Sequence, residues 1–178
     1  RERFLQIMRQ QALRMARLVD DLLSLSRIEL KAHLAPQTPV DLGEIARTIL
    51  DALVLMARER DVSLRLDLPP RPVVVAGDRD ELLRLMENLV ENAIKYGKPG
   101  GEVVIRIEGG AEASFSVRDD GPGIAAEHLP RLTERFYRVD NAASREAGGT
   151  GLGLAIVKHI VLRHRGRLTI ESVVGEGA

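Results

Sequence analysis

The chain has 178 residues, with 26 basic and 26 acidic side chains, no cysteine and no tryptophan. Its length suits one compact domain with a short appendage, and 44% hydrophobic residues suffice for a core built from Leu, Val and Ile. Zero net charge and scarce aromatic residues (Phe4, Phe115, Phe136, Tyr96, Tyr137) argue against nucleic acid as a partner, and zero cysteine excludes disulfides and thiolate chemistry. No apolar run is long enough to span a membrane, and no signal peptide is visible.

Residues 1 to about 33 contain no Gly or Pro. Met8, Met15 and Leu22 recur at heptad spacing, with Ala12, Leu18, Val19 and Leu25 on neighbouring positions, which predicts one helix. A helix of about 30 residues is about 45 Å long, too long to bury against one small domain, so its stripe calls for partner helices. Pro36 and Pro39 mark a linker over 36–41. Asp41 then caps a helix over 42–60 with Ile45, Ile49, Leu53 and Met56 on one face. Residues 62–68 alternate as a half-buried strand, and 73–75 read as a short buried one. Asp78 caps a third helix, 79–96, with Leu82, Leu85, Leu89 and Ala93 facing the core. Alternating strands follow near 102–108 and 113–118. Residues 125–148 are polar and end in glycines, which predicts a mobile loop, before a helix to about residue 165 and a strand over 167–172. The order of elements predicts an α+β fold, a two-layer sandwich with helices on one face of a mixed sheet, preceded by the long helix.

Three polar clusters stand apart from this core pattern. Asn88, Asn92 and Lys95 share one face of the third helix through spacings of four and three. A carboxamide oxygen can ligate Mg²⁺ and Lys95 can meet a phosphate, although a solvated helix face would look the same. Asp119-Asp120-Gly121-Pro122-Gly123 ends a strand. Its carboxylate can accept from an exocyclic amino group and its glycines admit a flat ligand, with an ordinary turn as the plainer alternative. Gly148-Gly149-Thr150-Gly151-Leu152-Gly153-Leu154 opens a helix whose free N–H groups suit phosphate. No Gly-Lys-Ser/Thr follows, so it is not a P-loop. A polar loop precedes it and Leu154 stands at the third glycine position, which disfavours a Rossmann site.

In this order the clusters resemble the ATP-binding domain of sensor histidine kinases, whose superfamily includes type II topoisomerases, Hsp90-type chaperones and a mismatch-repair ATPase. Residues 88–96 resemble the N box, Asp119 to Gly123 the G1 box, Gly149 to Leu154 the G2 box, and Glu134 to Asp140 the F box of an ATP lid spanning about 125–148. Met15 to Glu29 resembles the second helix of a dimerisation and histidine-phosphotransfer domain, closest to phosphate-responsive sensor kinases. The resemblance implies a Bergerat-type ATP fold over 42–178, joined by the linker to part of the phosphotransfer domain over 1–35. It implies ATP and Mg²⁺ as ligands. Asp119 would accept from the adenine amino group, with Gly121 and Gly123 letting the ring approach and Tyr96 lying against it. Asn92, supported by Asn88, would ligate the metal. Lys95 and Arg138 would meet phosphate, and Gly149, Thr150, Gly151, Leu152 and Gly153 would form the phosphate loop. Homodimerisation through the first helix, a response-regulator receiver domain as partner, and a membrane-anchored parent with this part on the cytoplasmic side are implied as well.

Two departures accompany the resemblance. His33, His128, His159 and His164 all lack the sequence context of the family's phosphoaccepting histidine. His159 and His164 read as surface or packing residues. The acceptor is therefore expected upstream of a chain that opens on Arg1 and closes on a glycine turn like a piece of something longer, one strand short of the family's usual end. Second, hydrolytic relatives place a general-base Glu where this chain has Asn88, which predicts slow ATP hydrolysis. The alternatives are a hydrolytic ATPase of the same superfamily and a non-catalytic module that binds partners through its helix.

Overall fold

The computed structural model describes residues 2–139 and 149–178. The elements run α1 (Glu2–Leu30), β1 (Thr38–Asp41), α2 (Leu42–Glu59), β2 (Ser63–Asp67), β3 (Val74–Gly77), α3 (Arg79–Tyr96), β4 (Glu102–Glu108), β5 (Ser114–Asp119), a 3-10 turn (Leu129–Arg131) and α4 (Gly153–Arg163).

Local chemistry sets the helix starts. The Asp41 carboxylate accepts from the Gly43 N–H, and Asp78 accepts from the Asp80 and Glu81 N–H groups, so both helices begin at a capping acid. The faces that follow are apolar at helical spacing. Ile45, Ile49 and Leu53 of α2, Leu82, Leu85, Met86, Val90 and Ile94 of α3, and Ile156, Val157 and Ile160 of α4 are all buried.

The sheet beneath them is mixed. β4 lies in the middle, parallel to β2 and antiparallel to β5. Val103, Ile105 and Ile107 of β4 point into the helices and are buried, while Arg106 on the opposite face pairs with Asp67 across the strands at 2.9 Å. The sheet is thus covered on one side, giving the expected two-layer α+β architecture.

Two expectations change. The linker predicted over 36–41 contains β1, which pairs antiparallel with β3 so that Pro39 faces Ala76. Proline is tolerated there because a two-stranded ribbon has an open edge for the position that lacks an N–H. Residues 167–172, expected as a strand, join no ladder among the described residues. An alternating pattern prepares a strand but cannot supply its partner, and the chain instead turns back over 173–177 through a bridge from Val173 to Gly177.

α1 stands partly clear of this body. Leu25 and Ile28 near its end are buried against the domain, whereas Phe4, Met8, Met15 and Leu22 are exposed, Met15 at 66%. Among the described residues no helix is long and apolar enough to cross a membrane.

Candidate functional site

The polar face of α3 is the floor of the site. Asn88 Nδ2 donates to the Arg84 carbonyl at 2.7 Å, one turn back, which turns its carboxamide oxygen outward. That oxygen lies against the start of α4, where a Cβ on Gly153 would come within 2.6 Å of it. Asn92 is half-buried one turn further along. Lys95 is ion-paired with Glu91, its neighbour four residues back. The pair leaves the ammonium at the edge of the floor with a carboxylate already beside it.

The second cluster closes one end. β5 delivers Asp119, whose Oδ1 accepts from the Gly121 N–H at 2.8 Å. A Cβ on Gly121 would lie 2.7 Å from the Tyr96 carbonyl, so the turn presses against the end of α3. Gly123 has φ +69°, and a Cβ there would sit 2.1 Å from the Val173 carbonyl; a left-handed conformation and a backbone wall both require glycine. Burial pushes the Asp119 carboxyl above its ordinary value, backbone hydrogen bonds from Gly121 and Ala178 pull it back, and the Asp120 charge adds a smaller upward push.

The third cluster closes the other end. Gly149 lies near the Tyr96 hydroxyl, with its Cβ position 3.6 Å away. Gly151 has φ +74° and its carbonyl accepts from the Phe136 N–H at 2.8 Å, which stitches the glycine loop to the F-box segment. The Leu152 side chain is fully buried, so only its backbone faces the site, and its N–H reaches the Thr150 hydroxyl at 3.3 Å. The three clusters, far apart in sequence, thus meet around one helix face.

Of the predicted lid, residues 140–148, including Asp140 of the F box and Gly148, lie outside the described residues. The described part of the expected mobile loop, residues 125–139, contains the 3-10 turn and closes on itself through side chains. His128 Nδ1 and the Tyr137 hydroxyl are 2.7 Å apart, and the Arg131 guanidinium lies 4.2 Å over the Tyr137 ring. Phe136 adopts φ +64°, and Arg138 follows it half-buried.

Several contacts were beyond sequence reasoning. The Thr150 hydroxyl donates to Asp21 Oδ2 at 2.7 Å, so a carboxylate from α1 sits on the glycine loop. Asp21 Oδ1 accepts from Arg84 at 2.9 Å, tying α1 to α3 as well. Arg135 pairs with Glu29 of α1. Arg163, buried at the end of α4, pairs with Glu81 and donates through Nε to the Lys31 carbonyl at 3.2 Å. His164 Nδ1 meets the Ile160 carbonyl at 2.8 Å while its Nε2 accepts from the Asp78 N–H at 3.0 Å. It is an internal bracket between α4 and α3, the packing role expected of it.

The fold and the three converging clusters are those of a nucleotide-binding ATPase. The family described as histidine kinase-, DNA gyrase B- and HSP90-like ATPase matches residues 77–178, and the chain belongs to it. Its relatives include the phosphate regulon sensor protein PhoR of Pseudomonas aeruginosa, 44% identical over 177 residues, which cover 99% of this chain and 40% of PhoR. The chain thus spans well under half of that relative. The structure of a mycobacterial sensor histidine kinase, MprB, is 35% identical with a TM-score of 0.59, covering 72% of this chain and 80% of that one. The full-length ShkA structure in complex with AMPPNP superposes with a TM-score of 0.83 at 26% identity, over 99% of this chain and 36% of ShkA.

Proposed function

We propose that this chain is the ATP-binding catalytic part of a two-component sensor histidine kinase. It moves the γ-phosphoryl of Mg-ATP to a histidine outside the chain, for relay to an aspartate on a response-regulator receiver domain. A bond forms between an imidazole nitrogen and the γ-phosphorus as the bond to the bridging oxygen breaks; ADP leaves with that electron pair and the imidazole gives up its proton. The contribution of the protein to such a transfer is positioning and charge neutralisation.

The reading rests on the convergence of the clusters on the α3 face, with Tyr96 touching both glycine-bearing turns. Asp119 Oδ2 is the acceptor for the adenine amino group, since Oδ1 already receives the Gly121 N–H. Gly121, Gly123 and Tyr96 wall the ring. Gly149, Thr150, Gly151, Leu152 and Gly153 offer the phosphates backbone N–H groups and one hydroxyl at the start of α4. Lys95 and Arg138 approach the outer phosphates, Lys95 by leaving Glu91.

The donor set also fits magnesium. Among the described residues no group of three or more His, Cys, Asp or Glu side chains could cage a metal. Two carboxamide oxygens on one helix face suit instead an ion that arrives with its nucleotide and keeps phosphate and water ligands. Asn92 and Asn88 would hold it, and the ion would supply charge neutralisation to the phosphates. Asn88 carries no base, which fits transfer to a histidine better than hydrolysis by water.

The exposed stripe of α1 supports a homodimer through that helix, in a parent whose cytoplasmic portion this is. The phosphate-responsive subfamily is the reading favoured by the resemblance of that helix.

The test has two arms. Titration with a fluorescent adenine nucleotide gives saturable, Mg²⁺-dependent binding with only slow release of inorganic phosphate. Supplying a phosphoacceptor-histidine helix with γ-labelled ATP puts acid-labile label on that helix. No saturable binding overturns the nucleotide site, and robust phosphate release points to a hydrolytic ATPase.

A further inference from the structure

Behind the adenine end of the site, the turn over 172–178 folds onto the loop that follows Asp119. Two backbone bonds cross this seam, from the Gly175 N–H to the Pro122 carbonyl at 2.8 Å and from the Asp119 N–H to the Ala178 carbonyl at 2.9 Å. The approach is close from both sides. A Cβ on Gly123 would meet the Val173 carbonyl, and one on Gly177, at φ +99°, would lie 2.0 Å from the Asp119 carbonyl. One side chain takes part as well. Ser172 Oγ accepts from the Ile124 N–H at 2.8 Å and donates to the Gly177 carbonyl at 2.6 Å. A hydroxyl is suited to this because it donates and accepts at once.

We infer that Ser172 is a positioning residue for adenine recognition, holding the loop over 121–124 against the turn over 172–178. In this role it fixes the wall on which the purine lies relative to the Asp119 carboxylate. The inference rests on the adenine reading of Asp119 given above. The residues of that loop belong to no helix or ladder, so their backbone partners decide where they sit. Without the hydroxyl, the Ile124 N–H loses its acceptor and Gly177 loses a donor, and the wall relaxes at the ring end. At the phosphate end the Gly151 carbonyl accepts from the Phe136 N–H, a bond in which Ser172 takes no part. The loss therefore falls on ring binding and leaves the rest of the fold standing.

The test measures Mg-ADP affinity by calorimetry beside the thermal midpoint of the nucleotide-free chain. Ser172→Ala is expected to weaken ADP about tenfold, the worth of one well-placed hydrogen bond, while the midpoint falls by no more than about 4 °C. Ser172→Cys keeps the shape with a feeble hydrogen-bonding group and shows the same loss, which guards against misfolding of the alanine variant. Ser172→Thr restores wild-type affinity. Full ADP affinity in the cysteine variant, failure of threonine to rescue, or a midpoint that collapses to the titration temperature overturns the inference. Wild-type chain that does not bind ADP at all overturns the adenine site itself, and this role of Ser172 with it.

Discussion

Asp119 carries opposing demands. Burial raises its pKa, and the hydrogen bonds from Gly121 and Ala178 only partly offset that. A folded value above the unfolded one means that protonated Asp119 favours the fold. Its contribution is complete below the ordinary Asp value and disappears as pH rises through the raised value, so at neutral pH the ionised group works against stability. It is retained, on the proposed reading, because a carboxylate accepts from adenine. Asp119→Asn removes the buried charge and turns an amide N–H toward the adenine amino group. We expect nucleotide affinity to fall at least about tenfold in a binding titration, while the midpoint of the free chain holds or rises in a thermal melt. A midpoint that fell together with affinity would make Asp119 a structural residue. Lowering the pH of the wild type through the raised value reproduces the loss of binding.

At the scale of elements, Arg163 ties the end of α4 to the start of α3 and to the segment after α1. It is 7% exposed, paired with Glu81 at the start of α3, and bonded to the carbonyl of Lys31 just past α1. Cutting one partner from a buried pair leaves the other uncompensated, so Arg163→Ala is expected to destabilise the chain by about 3 kcal/mol, read by chemical denaturation. A change within about 0.5 kcal/mol would place the pair among the weak surface ones. Very little of this is visible in the sequence. The capping acids Asp41 and Asp78 and the alternation of β4 are local signals, and they put α2, α3 and β4 almost where they stand. The three glycine- and asparagine-bearing clusters were legible for the same reason, since each is a short run with its own chemistry. Arg163, Asp21 and Ser172 act through partners distant in sequence, and nothing in their immediate neighbours distinguishes them. β1 was hidden by Pro39, and the failure of 167–172 to pair depends on strands elsewhere.

The whole molecule consists of a covered sheet with a helix that extends beyond it. At its C-terminal end Leu25 and Ile28 behave as core; earlier in the helix Met8, Met15 and Leu22 lie on the surface. A contiguous apolar stripe of that kind is stable in water when another helix covers it. Sedimentation is expected to report a dimer for the wild type and a monomer for Met15→Asp combined with Leu22→Asp, both exposed on the stripe. A wild-type monomer at tens of micromolar would remove the helix as a self-association surface. The same helix ends in a second attachment. On the proposed reading, the Thr150 hydroxyl that donates to Asp21 also serves the phosphates at the glycine loop, while Arg84 holds the other Asp21 oxygen. Two occupants of one hydroxyl are bound by reciprocity: any factor by which docking of the helix changes the grip on the anion is the factor by which the anion changes the docking of the helix. Information can then run either way along α1, and the direction is set by which end is driven.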